Sequence, residues 1–165
     1  MPGTELTEVP EDQAEISGDL HSVLRELEGR LKLLIQTTMR AVSALEEKLL
    51  PSYPEWALRE LLMNAIMHRN YDSNTPVRFS AFSDHIEIQN PGGLYGEATP
   101  ENFPTRNSYR NPVIAEAMKS LGFVNRFGYG VQRAQKLLAQ NGNPPAVFDF
   151  KEHSSVLVKI YRRVE

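Results

Sequence analysis

Apolar residues recur at helical spacing near the start of the chain. The stripe consists of Leu20, Val23, Leu24, Leu27, Leu31, Leu34 and Ile35. Spacings of three and four residues place these side chains on one face, which predicts an amphipathic helix over roughly residues 19–36. The two heptads are too few for a sustained coiled coil, which needs about three to four, so we favour a helix that faces its own core. Residues 36–45 are ambiguous and allow a short edge strand.

A second helix is predicted from Ser52-Tyr53-Pro54-Glu55 to about His68. Ser52 can cap it, Pro54 suits its first turn, and Glu55 stands three residues after the cap. Nearly all of the following residues are apolar, and a helix that is apolar all round is buried. Trp56 is therefore expected in the core.

The rest of the chain predicts a hairpin, a loop, two helices and two strands. The alternating residues are Val77, Phe79, Ala81, Ile86 and Ile88, with a turn at Ser83-Asp84. The later elements are a long loop over 94–111, helices from Asn111-Pro112 to near Gly122 and from Gly130 to Asn141-Gly142, and strands at Val147–Phe150 and Val156–Tyr161. This order predicts an α/β protein of the two-layer α+β sandwich class, with helices on one face of a mixed, mostly antiparallel sheet.

Charge is distributed unevenly along the 165 residues. Residues 1–20 hold six acidic side chains and no basic one, whereas the rest holds 18 basic and 15 acidic side chains, a net charge of +3. We therefore expect an acidic tail or linker at 1–17, left by an upstream domain, and one domain at 18–162. Cysteine is absent and no apolar run approaches the length of a membrane span, which favours the cytoplasm and no membrane partner.

The second predicted helix carries the first candidate for chemistry. Glu60, Asn64 and His68 fall on one narrow stripe of an otherwise apolar helix. A carboxylate and an amide four residues apart could orient a water and complete a Mg²⁺ shell, since this ion takes oxygen ligands. The other interpretation, that the stripe is simply the solvent edge, has equal support from the pattern.

Two glycine turns are the second candidate. Asn90-Pro91-Gly92-Gly93 follows a predicted strand, and Gly128-Tyr129-Gly130 opens a predicted helix. Glycine lets the backbone approach a ligand closely, and helix N-termini favour phosphate. Ordinary turns and helix caps explain most such glycine pairs. Neither the P-loop pattern nor the dinucleotide fingerprint is present.

The order of these features resembles the Bergerat-type ATP-binding fold of gyrase, heat-shock chaperones, histidine kinases and mismatch-repair ATPases. The resemblance implies that Asn64 holds Mg²⁺ and that Glu60 is the catalytic base of a Mg²⁺-dependent ATPase. It also implies that Asn90, Gly92 and Gly93 meet the base of ATP and that Gly128 and Gly130 meet its phosphates. The loop between the glycine turns resembles the lid over the triphosphate.

A closer resemblance extends over roughly residues 16–161. Its motifs are Ala57-Leu58-Arg59-Glu60, Asn64-Ala65, His68-Arg69-Asn70-Tyr71, Ile86-Glu87-Ile88, Asn90-Pro91-Gly92-Gly93, Arg110-Asn111-Pro112 and Phe127-Gly128-Tyr129-Gly130. Together they are similar to the bacterial family described as ATP-dependent DNA helicase RecG C-terminal, or divergent AAA-type transcriptional regulator. This resemblance implies a nucleotide-binding regulatory domain that reaches DNA only through other domains of a longer protein.

The chain departs from active relatives at two points. Asn90 stands where they have an aspartate that accepts from the adenine amino group. No lysine occupies an obvious γ-phosphate position, which leaves Arg106, Arg110, Arg126 and Arg133 as candidates. The alternative function is thus a degenerate, non-hydrolysing interaction or homodimerisation module. Direct DNA binding through the helices around Gly122 is disfavoured, since their connection exceeds the ~3–4 residues of a helix-turn-helix.

Overall fold

The computed structural model describes residues 10, 12–16, 19–38, 40–41, 45, 49–69, 76–92, 111–122, 130–150 and 155–163. Its elements in chain order are β1 (Asp12–Ile16), α1 (Leu20–Thr38), β2 (Arg40–Ala41), β3 (Leu49–Leu50), α2 (Glu55–His68), β4 (Val77–Ala81), β5 (His85–Pro91), α3 (Pro112–Ser120), α4 (Gly130–Asn141), β6 (Val147–Asp149) and β7 (Ser155–Tyr161).

The main sheet has the order β1-β4-β5-β7-β6, and all its described pairs are antiparallel. Strand β5 lies at its centre, where Ile88 is paired with Phe79 of β4 and with Val158 of β7. These three side chains are buried, as period-two alternation requires for one face of a sheet. The structure confirms the predicted α+β sandwich and its antiparallel hairpin.

Helix α2 is the centre of the helical layer and contacts α1, α3, α4 and β5. Its buried residues are Ala57, Leu58, Glu60, Leu61, Leu62, Met63, Ala65, Ile66 and Met67. Their distribution around the whole circumference confirms the prediction of a buried helix. The α1 stripe faces the same core, since Val23, Leu24, Leu27 and Leu31 are buried with it.

The N-terminal segment differs from the prediction. Residues Asp12–Ile16, assigned from sequence to the acidic tail, form edge strand β1 and pair with β4 from Asp12↔Ala81 to Ile16↔Val77. Backbone hydrogen bonds hold an edge strand whatever its charge, so the acidic composition concealed it. The ambiguous residues after α1 contribute β2, which pairs with β3 in a separate two-stranded sheet.

Two helix starts also differ in detail. Pro54, and not Ser52, is the N-cap residue of α2, and its backbone O accepts from Ala57 N and Leu58 N. Trp56, expected in the core, is 59% exposed and carries the Arg59 guanidinium 4.6 Å from its ring centroid. An aromatic residue in the first turn of a buried helix can still face outward, where its ring face attracts a cation.

Asn111 was predicted to open α3, and α3 does begin at Pro112. Its side chain makes no cap hydrogen bond there. Instead Asn111 Nδ2 donates to Met67 O at 2.9 Å and to Arg69 O at 2.6 Å, the carbonyls that end α2. The C-terminal carbonyls of a helix need such donors, so Asn111 anchors α3 to the end of α2. The rest of the predicted loop, residues 94–110, lies outside the described residues.

The end of α4 is fixed to the loop before α2. Asn143 is buried, and its Nδ2 donates to Ser52 O at 2.8 Å and to Tyr161 O at 3.0 Å. Asn141 Nδ2 donates to Pro51 O at 3.0 Å. These bonds set the position of α4 against α2. Within the part of the chain that the structure describes, no helix is long and apolar enough to cross a membrane.

Polar side chains cluster around His85 at the turn between β4 and β5. His85 Nδ1 lies 2.6 Å from Asp84 Oδ1, and Nε2 lies 3.1 Å from Glu87 Oε1. Lys159 Nζ also approaches Glu87 at 3.7 Å, and Phe82 stacks on the His85 ring with centroids 4.5 Å apart. The hydrogen bond to His85 is the main reason that the pKa of Asp84 lies below its ordinary value, with a smaller contribution from Arg162.

A lowered pKa means that ionised Asp84 stabilises the folded state at pH values above its unfolded pKa of about 4. That contribution is lost as pH falls through the folded pKa. We expect Asp84→Asn to lower the free energy of unfolding at about pH 5, where the aspartate is ionised, and to have little effect at about pH 2.5. Urea unfolding at both pH values measures this, and an equal effect at both would contradict it.

Candidate functional site

The carboxylate of Glu60 lies where the middle of α2 meets the start of α4. Its side chain is 10% exposed, and its Oε1 lies 3.3 Å from Arg133 Nη1. The guanidinium of Arg59 approaches the same oxygen at 3.8 Å. A carboxylate taken out of water must be neutralised and hydrogen-bonded. Two guanidinium groups supply this neutralisation, and one of them comes from the first turn of α4.

The other carboxylate oxygen of Glu60 faces the first residue of α4. A Cβ added to Gly130 would lie 3.0 Å from Glu60 Oε2, closer than ordinary van der Waals contact. No acidic residue occupies the first turn of α4 itself. Because a helix N-terminus carries a partial positive charge, Glu60 of α2 supplies the negative charge that this end of α4 lacks. Glycine at position 130 permits that close approach.

Asn64 and His68 continue the stripe toward the C-terminus of α2, and both are half-buried. The stripe is therefore no simple solvent edge at Glu60, although it becomes more open after it. Among the described residues, no group of three or more His, Cys, Asp or Glu side chains could hold a metal. Asn64 could serve Mg²⁺ only as a single oxygen ligand, with phosphates and waters completing the shell.

Asn90 lies near the end of the central strand β5 and is 6% exposed. Its Oδ1 is fully buried, and no hydrogen-bond partner for it exists among the described residues. Leaving a buried acceptor without a donor costs about 1–3 kcal/mol. Native proteins rarely keep such an atom, so each case calls for an explanation, of which a missing ligand is one. Because Asn90 Oδ1 is an acceptor, the group that would satisfy it is a hydrogen-bond donor.

The chain turns sharply just after Asn90. Gly92 is buried and has a φ of 98°, a conformation that side chains other than glycine rarely adopt. The chain therefore does turn at the end of β5, at the first of the two predicted glycine turns. Gly93 of this turn and Gly128 of the second lie outside the described residues, whereas Gly130 begins α4.

The structure brings Glu60 of α2 and Gly130 of α4 together. Of the four arginines considered from sequence, only Arg133 falls within the described residues, and it binds Glu60. Arg59 was missed as a partner of Glu60. Its position next to Glu60 in the sequence gave no signal, because neighbouring residues on a helix point about 100° apart.

The family model described as "Putative ATP-dependent DNA helicase recG C-terminal" matches residues 74–160, more than half of the chain. The chain belongs to this family. It is a RecG C-terminal-like, ATPase-type domain. The match includes Asn90, Gly92, Gly130 and Arg133, but it begins after α2. The place of Glu60 in this RecG C-terminal-like domain therefore rests on its contacts with α4.

A solved structure is similar over a larger part of the chain. The crystal structure of the DIP2311 protein from Corynebacterium diphtheriae is similar over 86% of this chain, with a TM-score of 0.76 and 25% sequence identity. The matched part is 29% of that protein, so the RecG C-terminal-like domain spans less than a third of this relative. No curated protein gives a significant match.

The close approach of Glu60 to Gly130 can be tested against a matched glycine. Gly29 in α1 has no heavy atom within 4 Å of an added Cβ, so Gly29→Ala should raise the free energy of unfolding by about 0.5–1 kcal/mol. Gly130→Ala should give no such gain, because its methyl group displaces the carboxylate. In a Glu60→Ala background, where no carboxylate is displaced, Gly130→Ala should no longer carry the cost of that displacement. Equal stabilisation by both alanines in denaturant unfolding would contradict the contact.

Proposed function

We propose that this domain binds ATP and regulates a longer bacterial protein, either a transcriptional regulator or a RecG-related helicase-like protein. The fold would then be a divergent Bergerat-type ATPase fold. The family description supports a nucleotide as the ligand. The DIP2311 comparison supports a longer parent, since this fold is a minor part of that chain. DNA would be contacted through other domains of the parent, and the cytoplasm is the expected location.

The unpaired Oδ1 of Asn90 carries the proposal. Adenine presents an exocyclic amino group, which is a hydrogen-bond donor, whereas the corresponding position of guanine or hypoxanthine is an acceptor. An amide oxygen accepts such a bond without the charge of the aspartate found in active relatives. The turn at Gly92 would let the backbone approach the base. Recognition is thus expected to favour adenine but to be weaker than with a carboxylate.

The start of α4 is the proposed phosphate end of the site. Free amides at a helix N-terminus and the guanidinium of Arg133 both favour an anion there. Gly128 and Gly130 would keep side chains away from the phosphates. Asn64 would supply an oxygen to Mg²⁺ held between protein and phosphates. When bound, Mg²⁺-ATP supplies a phosphoryl group that water can attack, and Glu60 would orient that water and accept its proton.

A second function is favoured by a different observation. Glu60 is already paired with two arginines in the absence of any ligand. A non-hydrolysing interaction or dimerisation module would keep Glu60 paired in this way. The exposed ring of Trp56, which lines a cavity of about 460 Å³ between α1 and α2, offers such a module a contact surface. Most of the α1 stripe, however, is already buried in the domain's own core.

Asn90→Leu should test base recognition directly. Removing the acceptor should weaken ATP binding about tenfold or more, since the base donor would face an apolar side chain. The wild type should prefer ATP to ITP, which carries an oxygen in place of the amino group, and the variant should lose that preference. Isothermal titration calorimetry with both nucleotides and Mg²⁺ measures this.

Asn64→Ala is the companion variant. It should weaken binding of Mg²⁺-ATP while leaving metal-free nucleotide binding unchanged, because the amide contacts only the ion. The matched control for Asn90→Leu is Gln89→Ala, because Gln89 is half-buried and lies on the same strand as Asn90. Absence of any nucleotide binding to the wild type at millimolar concentration would refute the proposed function and leave the interaction module.

A further inference from the structure

We propose that Glu60 is an internal competitor for the phosphates of the nucleotide: its carboxylate occupies Arg133 and the start of α4 until phosphate displaces it. This regulation rests on the proposed function, because it concerns the phosphate end of the same site. Three contacts of the described structure carry it: Arg133 to Glu60, Arg59 to Glu60, and Gly130 against Glu60.

The two oxygens of Glu60 stand where an incoming anion would be attracted. Oε1 lies 3.3 Å from Arg133 Nη1, and Oε2 lies against Gly130 at the start of α4. A phosphate oxygen seeks the same combination of guanidinium and helix N-terminus. Two anions cannot share it, because like charges a few ångströms apart repel in a poorly hydrated site. Binding of phosphate and retention of Glu60 therefore exclude each other.

Displacement is feasible because Arg133 is accessible and Glu60 has a second cationic partner. The Arg133 side chain is 41% exposed and can be approached from solvent. Arg59 contacts the Trp56 ring. Glu60 would therefore keep Arg59 as a cationic partner when phosphate binds Arg133. The exchange leaves no buried carboxylate without a counter-ion.

The same exchange would change the contacts of Glu60. In the described structure both arginines hold its carboxylate. Phosphate at Arg133 would leave Arg59 as its remaining cationic partner. A purely structural ion pair between α2 and α4 makes the opposite prediction for binding, since its loss would loosen the site.

Glu60→Gln distinguishes these roles, because the amide keeps the shape of the side chain and removes the competing charge. We expect this variant to bind ATP and inorganic pyrophosphate about tenfold more tightly than the wild type, with adenosine affinity unchanged. The matched control is Glu26→Gln, which removes an exposed Arg–Glu pair elsewhere, with Arg30 at 3.3 Å. It should behave as the wild type. Calorimetric titration of the three ligands measures the affinities.

Unchanged or weaker pyrophosphate binding by Glu60→Gln would overturn the competitor role. If ATP still binds the wild type in that case, the proposed function stands without this regulation. If neither adenosine nor ATP binds any variant, the proposed function fails, and the pyrophosphate titration still decides whether Glu60 competes with anions.

A second measurement needs no variant and so does not depend on one that folds. In the wild type, the side-chain carboxyl ¹³C resonance of Glu60 and the Nε–H resonance of Arg133 should both shift as pyrophosphate is added. The guanidinium resonance of Arg30, paired with Glu26 on the exposed face of α1, is the internal reference. Absence of any shift at Glu60 under saturating pyrophosphate would overturn the proposal.

Discussion

Helix α2 is buried on nearly every side, and Glu60 at its centre must be neutralised within the protein. Neutralisation comes from Arg59 on the same helix and from Arg133 at the start of α4. This carboxylate links α2 to the first turn of α4, and a side chain at Gly130 would force it to shift, since an added Cβ would lie 3.0 Å from Oε2. Packing of the apolar core and the hydrogen bonds of Asn141 and Asn143 position the two helices, and the ion pair adds a charged contact between them.

The central strand brings a second polar group toward the helical layer. Strand β5 contacts α2 and ends with Asn90, whose buried oxygen has no donor among the described residues, and then with the turn at Gly92. A buried charge with partners and a buried acceptor without one have different physical meanings. The first is a completed interaction, whereas the second leaves an acceptor that a donor could complete. In the proposed nucleotide site, Asn90 would meet the base, and Glu60 would occupy the phosphate end until phosphate displaces it.

Much of the fold could be predicted from the sequence, because hydrophobic periodicity and glycines at turns and helix ends are local signals. The stripe of α1, the apolar run of α2, the β4–β5 hairpin and the stop of α4 at Gly142 all follow from them. Strand β1 could not be predicted, since an edge strand is held by backbone hydrogen bonds to β4 and needs no apolar pattern. Asn111 was predicted at a helix start, but its role at the end of α2 depends on a contact between distant residues.

The sequence could identify candidate residues of the site, but not which of them are paired in the folded protein. Spacing could place Glu60 and Asn64 on one face of a helix, and the turn at Gly92 could be recognised as a turn. Only the structure places Arg133 on Glu60 and shows that the Asn90 oxygen has no partner among the described residues. Those two facts depend on how α4 and β5 pack against α2, and the sequence contains no local signal for either.

The most direct test is a crystal structure of the domain with Mg²⁺ and a non-hydrolysable ATP analogue. The account predicts the adenine amino nitrogen at about 2.7–3.2 Å from Asn90 Oδ1. It also predicts phosphate oxygens at Arg133 and the start of α4, with the Arg133–Glu60 contact broken. A nucleotide bound elsewhere, or phosphates distant from α4 beside an intact Arg133–Glu60 pair, would contradict it.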